Sequence, residues 1–97
     1  MIGIDTSAKK ILTHYGQQKQ EVQAVQELSE LILLLAARED QRKGDYKKHI
    51  TEEIADSLIM IEQIRLANGI TDKDVNAVIV QKISRQFRRI HEEEAKE

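Results

Sequence analysis

Seven consecutive apolar residues, Leu31-Ile32-Leu33-Leu34-Leu35-Ala36-Ala37, lie inside a helical pattern. Val22, Val25 and Leu28 lead into this run as a narrow apolar stripe at three-residue steps. A helix that is apolar all round must be buried all round. A chain of 97 residues builds one small domain with a modest core and has little means of covering every side of such a segment. The run therefore predicts a homo-oligomer, dimer or tetramer, whose interface includes Leu31 to Leu35. At seven residues it is far short of the roughly 20 that span a bilayer, so no membrane partner is expected.

Nothing elsewhere forbids long helices: the chain has no Pro and four Gly. Its aromatic residues are Tyr15, Tyr46 and Phe87, thin for a β-sandwich or barrel. The absence of Cys removes disulfides, thiolate metal sites and a cysteine nucleophile. A net charge of −2 creates no bulk field toward nucleic acid. Met1 to Leu12 lacks the apolar core of a signal peptide, and a soluble cytoplasmic protein is the default expectation.

After a short apolar lead, Met1 to Ile4, any of Asp5, Thr6 and Ser7 can cap a first helix over Ala8 to Tyr15, which Gly16 ends. A second helix is expected from Gln17 to about Arg42. A third begins near Asp45 or Thr51 and runs to Ala67, with Ile50, Ile54, Leu58, Ile61 and Ile64 at helical spacing. Asn68-Gly69 is a stop signal, and Thr71 with Asp74 resembles a capping box. The fourth helix is expected from Asp72 to about His91, with Val75, Val78, Ile79, Ile83, Phe87 and Ile90 as a buried stripe. Glu92 to Glu97 reads as a solvated, frayed tail. The expected architecture is all-α: a four-helix bundle-like protomer assembling into a helical oligomer.

Two pairs of carboxylates lie within these apolar patterns, Glu27 with Glu30 and Glu53 with Asp56. Residues three apart on a helix differ by about 60° in azimuth and about 4.5 Å along the axis, so each pair points one way. Most acidic pairs on helices are solvated faces. Here, Asp56 precedes Leu58-Ile59-Met60-Ile61 and Glu30 adjoins the long apolar run. A carboxylate carried into a core must be paired or bind a metal, and Lys and Arg are scarce nearby in sequence. His14, His49 and His91 are isolated and none follows a Glu by three residues, which argues against zinc and helical di-iron sites. An all-carboxylate set suits a hard cation. With phosphate as co-ligand, Mg²⁺ is favoured and Mn²⁺ is a substitute.

The pattern Glu27-x-x-Glu30, 22 intervening residues, then Glu53-x-x-Asp56 resembles the signature of the MazG-like all-α nucleoside triphosphate pyrophosphohydrolases. Tyr15-Gly16 with Gln20, Gln26-Glu27-Leu28-Ser29-Glu30-Leu31, and Glu52-Glu53-Ile54-Ala55-Asp56 are similar to the small phage-type members. Lys82-Ile83-Ser84-Arg85 with Arg88-Arg89-Ile90 resembles their last basic helix. The likeness runs from about residue 15 to 90, the core of a single domain occupying 1–97. Gln26 departs from the family, which often has a second Glu there, at a position not expected to be a ligand.

The resemblance implies hydrolysis of a (deoxy)nucleoside triphosphate to monophosphate and pyrophosphate, with Mg²⁺ held by Glu27, Glu30, Glu53 and Asp56. Glu27 or Glu30 would also orient the attacking water. Lys82 and Arg85 would grip the phosphates, or form an ordinary basic patch. Gln20, and with less support Gln23, would read a base edge or ribose. Glu92-Glu93-Glu94 offsets the basic helix, and nucleic acid is not an expected partner. The competing reading is a non-enzymatic helical oligomerisation module whose carboxylates are solvated or paired to Arg85 and Arg89 of a partner.

Overall fold

A computed structural model describes residues 3–96; Met1 and Ile2 of the apolar lead, and Glu97, lie outside the described residues. Four α-helices account for most of them: α1 (Asp5–Tyr15), α2 (Gln17–Ala36), α3 (Tyr46–Ala67) and α4 (Asp72–Ala95). The all-α expectation holds. No helix among the described residues is long and apolar enough to cross a membrane.

Gly16 separates α1 from α2 at φ 91°, ψ 155°, a backbone conformation that only glycine adopts readily. Ahead of α4, Thr71 Oγ1 accepts from the Asp74 N–H and Asp74 Oδ2 accepts from the Thr71 N–H, both at 3.1 Å. The capping box therefore forms as expected, with Asp in the Glu position. Hydrogen bonding from the Thr71 backbone, and then from its side chain, holds the Asp74 carboxyl below its ordinary value.

Three boundaries differ from expectation. Helix α1 starts at Asp5 with no side-chain cap, so none of the three candidate caps is used. Helix α2 stops at Ala36, not Arg42, because Ala37 and Arg38 are extended and a short 3-10 turn, Glu39–Gln41, follows. Arg42 folds back from beyond the turn, donating to the Leu35 and Ala37 carbonyls and so serving two carbonyls left open at the helix end. Helix α4 continues to Ala95, so the acidic tail is helical where a frayed end was expected.

Helices α1, α2 and α3 pack on one another, while α4 packs on none of them. A three-helix unit with a projecting helix thus replaces the expected four-helix protomer, and the stripe predicted to be buried in α4 is exposed, with Phe87 at 67%. Buried apolar residues of the core are Ala8, Ala24 and Met60, beside polar Gln20, Ser57, Glu62, Gln63 and Arg65. Many large apolar side chains instead face outward, Val25 at 68% and Leu33 at 70%, while others such as Leu31, Leu58 and Ile64 are half-buried.

The polar core is paired across helices. Gln20 Nε2 donates to Gln63 Oε1 at 2.8 Å, joining α2 to α3. Arg65 donates to Glu62 Oε2 at 2.8 Å and to the Ile70 carbonyl at 2.8 Å. Its guanidinium also lies 3.1 Å from Asp5 and 3.4 Å from Asp72. One buried arginine thereby ties the start of α1, the end of α3, the α3–α4 turn and the start of α4.

Candidate metal centre

Helices α2 and α3 run antiparallel. Gln20 bonds Gln63 at one end, and Tyr46 Oη donates to the Leu34 carbonyl at 3.4 Å at the other. The Gln20–Gln63 register, continued two turns along the pair, sets Glu27 opposite Asp56 and Glu30 opposite Glu53. The i, i+3 spacing of each pair then aims both at one side of the hairpin.

One oxygen each from Glu27, Glu30 and Glu53 lies within 4.8 Å of the others, and all three residues are half-buried. Asp56, expected in an apolar neighbourhood, is exposed and stands beside Glu27, whose carboxyl it helps to raise. Glu53 and Glu30 are related in the same way. Glu53 Oε2 is buried and has no hydrogen-bond partner. Among the described residues, no Lys or Arg forms an ion pair with any of the four carboxylates.

These features fit a hard cation. Three converging carboxylates without a basic neighbour repel one another, and a buried orphan oxygen lacks a donor. Glu27, Glu30 and Glu53 would be the ligands, with Asp56 positioned to join them. Gln23 supports the set: its Nε2 donates to Glu27 Oε1 at 2.8 Å, leaving Oε2 of Glu27 for other work.

The same crowding shifts the acids. Burial raises Glu27 above its ordinary value of 4.5; the Gln23 bond opposes this, while Glu30 and Asp56 push it further up. Burial also raises Glu53, with Glu30, Glu27 and Asp56 adding to the shift. A carboxyl raised in the folded state contributes stability that is fully present below its unfolded pKa and is lost as pH rises through the folded pKa. Without metal, the melting temperature is therefore expected to fall as pH rises from below 4.5 through the raised values of Glu27 and Glu53. In saturating Mg²⁺ this dependence should flatten or reverse, because the cation favours the ionised acids. Thermal melts across pH with EDTA or MgCl₂ check it; identical pH profiles in the two would contradict metal binding here.

No family model, curated protein or solved structure matches the chain. The geometry thus carries the site by itself.

The other expected site residues lie apart. Gln20, expected to meet substrate, is buried with its amide occupied by Gln63; its place in the site is to set the register of the acids. Lys82 and Arg85 line an exposed hollow on α4 with Val78, Gln81 and Arg88. Because α4 packs on no other helix, one chain does not bring them to the carboxylates. Conversely, His49 and Glu52 line a cleft with Glu30, Leu33, Leu34 and Glu53. The i, i+4, i+7 spacing of His49, Glu53 and Asp56 already places His49 on that face.

Proposed function

We propose that this chain is a Mg²⁺-dependent nucleoside triphosphate pyrophosphohydrolase acting as a homo-oligomer. The observation that carries the reading is the convergence of Glu27, Glu30 and Glu53 within 4.8 Å with no basic partner. The resemblance of the same residues to the MazG-like signature points the same way. Glu27, Glu30, Glu53 and Asp56 would hold the cation, which when bound supplies charge neutralisation for phosphate oxygens.

The remaining work falls to the chain. Glu27, steadied by Gln23, or Glu30 orients a water and takes its proton. The water oxygen bonds to phosphorus, the bridge between the α- and β-phosphoryl groups breaks, and pyrophosphate leaves with the bridging electron pair. The raised carboxyl of Glu27 suits this, since a base works best with a pKa near the operating pH. Lys82 and Arg85 lie on α4, apart from the carboxylates, and take no part in these steps within one chain.

The test is pyrophosphate release from a panel of canonical and modified (d)NTPs, with Mg²⁺ and with EDTA. Equimolar monophosphate and pyrophosphate, dependent on Mg²⁺ and partly restored by Mn²⁺, are expected. No turnover of any nucleotide, with no Mg²⁺-dependent thermal shift, would favour the oligomerisation module.

A further inference from the structure

The exposed apolar residues form two separate surfaces. On α4, Ile79, Ile83, Phe87 and Ile90 follow one another at helical spacing, with Lys82 and Arg89 along one flank and Arg85 on the far face. On the α2–α3 hairpin, successive residues turn about 100°. Leu28, Ile32 and Leu35 of α2 and Ile54 and Ile61 of α3 therefore face away from the side bearing the carboxylates. Ile32 is 63% exposed, and Leu35, Ile54 and Ile61 are exposed as well.

The chain cannot join these surfaces by itself. Only residues 68–71 separate α3 from α4. Arg65, buried, grips both the Ile70 carbonyl and Asp72, on either side of Thr71. The exit of α4 is held, and it points away from the hairpin.

Size gives the same result. A compact chain of 97 residues has a radius of gyration of about 12.5 Å, against 17.1 Å here. A folded monomer of 11.2 kDa exposes about 5,700 Å², against 7797 Å² here. The excess of about 2,100 Å² per chain would give about 4,200 Å² for two chains, within the range of obligate dimers.

We infer that α4 is an exchanged arm: in a two-fold dimer, the α4 stripe of each copy seats on the Leu28–Ile32–Leu35 and Ile54–Ile61 face of the other. A second copy is the occupant because each chain carries both an unpartnered stripe and an unpartnered acceptor face, and two-fold symmetry satisfies all four at once. This goes further than an oligomer through Leu31 to Leu35, since it names the covering element and leaves the carboxylate side open.

The chain has no cysteine, so introduced ones report cleanly. Full-length Ile83→Cys protein is mixed with Leu35→Cys, Ile32→Cys or Ile54→Cys protein, allowed to exchange subunits, and treated with a short bis-maleimide. Mass spectrometry is expected to show α4-to-hairpin links between different chains, with at least one of the three acceptor positions. Exclusive α4-to-α4 links, or links only within one chain, would overturn the arm exchange. In parallel, light scattering should give twice the chain mass for the unsubstituted protein and a halved mass for Ile83→Asp/Phe87→Asp. Because α4 packs on nothing in its own chain, the signal of α1 to α3 should persist in that variant. A monomeric unsubstituted protein, or a variant that stays dimeric, would refute the proposal whether or not any nucleotide is hydrolysed.

Discussion

Glu53→Gln is expected to lower Mg²⁺-dependent pyrophosphate release by about 100-fold or more, since even residues that only support metal ligands cost 10–100-fold when changed. Glu53 is the most informative of the acids: one of its oxygens converges with Glu27 and Glu30, and its Oε2 is buried without a donor. The amide keeps the shape and removes the charge. Without metal it also removes repulsion from Glu27 and Glu30, so the variant should melt no lower than the parent in EDTA. The parent should gain stability on adding Mg²⁺ and the variant should gain little. Loss of activity together with a large fall in the EDTA melting temperature would instead mark Glu53 as a structural residue. Steady-state pyrophosphate assays and paired melts decide between them.

Arg65→Met is expected to destabilise the protein by about 3–5 kcal/mol, the usual cost of removing one member of a buried ion pair. Against a typical total of about 5–15 kcal/mol, that is enough to unfold a marginal chain. The cost arises on the partner. Glu62 is 1% exposed, its Oε2 is held by Arg65, and its Oε1 has no hydrogen-bond partner, so the substitution leaves a bare carboxylate in the core. Asp5 and Asp72 are better solvated and contribute less. The double variant Arg65→Met/Glu62→Leu should recover most of the loss, because replacing both charges with apolar groups of similar volume is often close to neutral. Urea denaturation of the three proteins tests this. If the double variant is no more stable than Arg65→Met, the loss comes from the ties to Ile70, Asp5 and Asp72, and Glu62 is not the source.

These predictions rest on residues of unequal legibility. The acids were readable because i, i+3 spacing on a helix fixes their common direction whatever the helix packs against. Helix number was readable for a similar reason: Gly16, Asn68-Gly69 and the Thr71–Asp74 box act locally. Arg65, Glu62, Gln63 and Gln20 were not. Long polar side chains at helical positions ordinarily face water, and no local pattern says that these four find one another in the core. His49 lay within reach of helix spacing, which sets it one turn from Glu53, and it is exposed there.

By itself, the sequence determined that the chain is helical, that Gly16 and Asn68-Gly69 part its helices, and that two carboxylate pairs sit on aligned faces. Backbone propensity, capping and the 3.6-residue turn act over a few residues and need no partner. Only the tertiary structure decided which face of each helix points inward. Helices α2 and α3 are apolar on more than one side, so periodicity left the choice open. The Gln20–Gln63 register and the Arg65 cluster settled it, turning Ala24, Ser57 and Met60 inward and Val25, Ile32 and Ile54 outward. The same cluster ties α4 to the end of α3: Arg65 donates to the Ile70 carbonyl just before that helix and pairs with Asp72 at its first residue, contacts no local pattern announces.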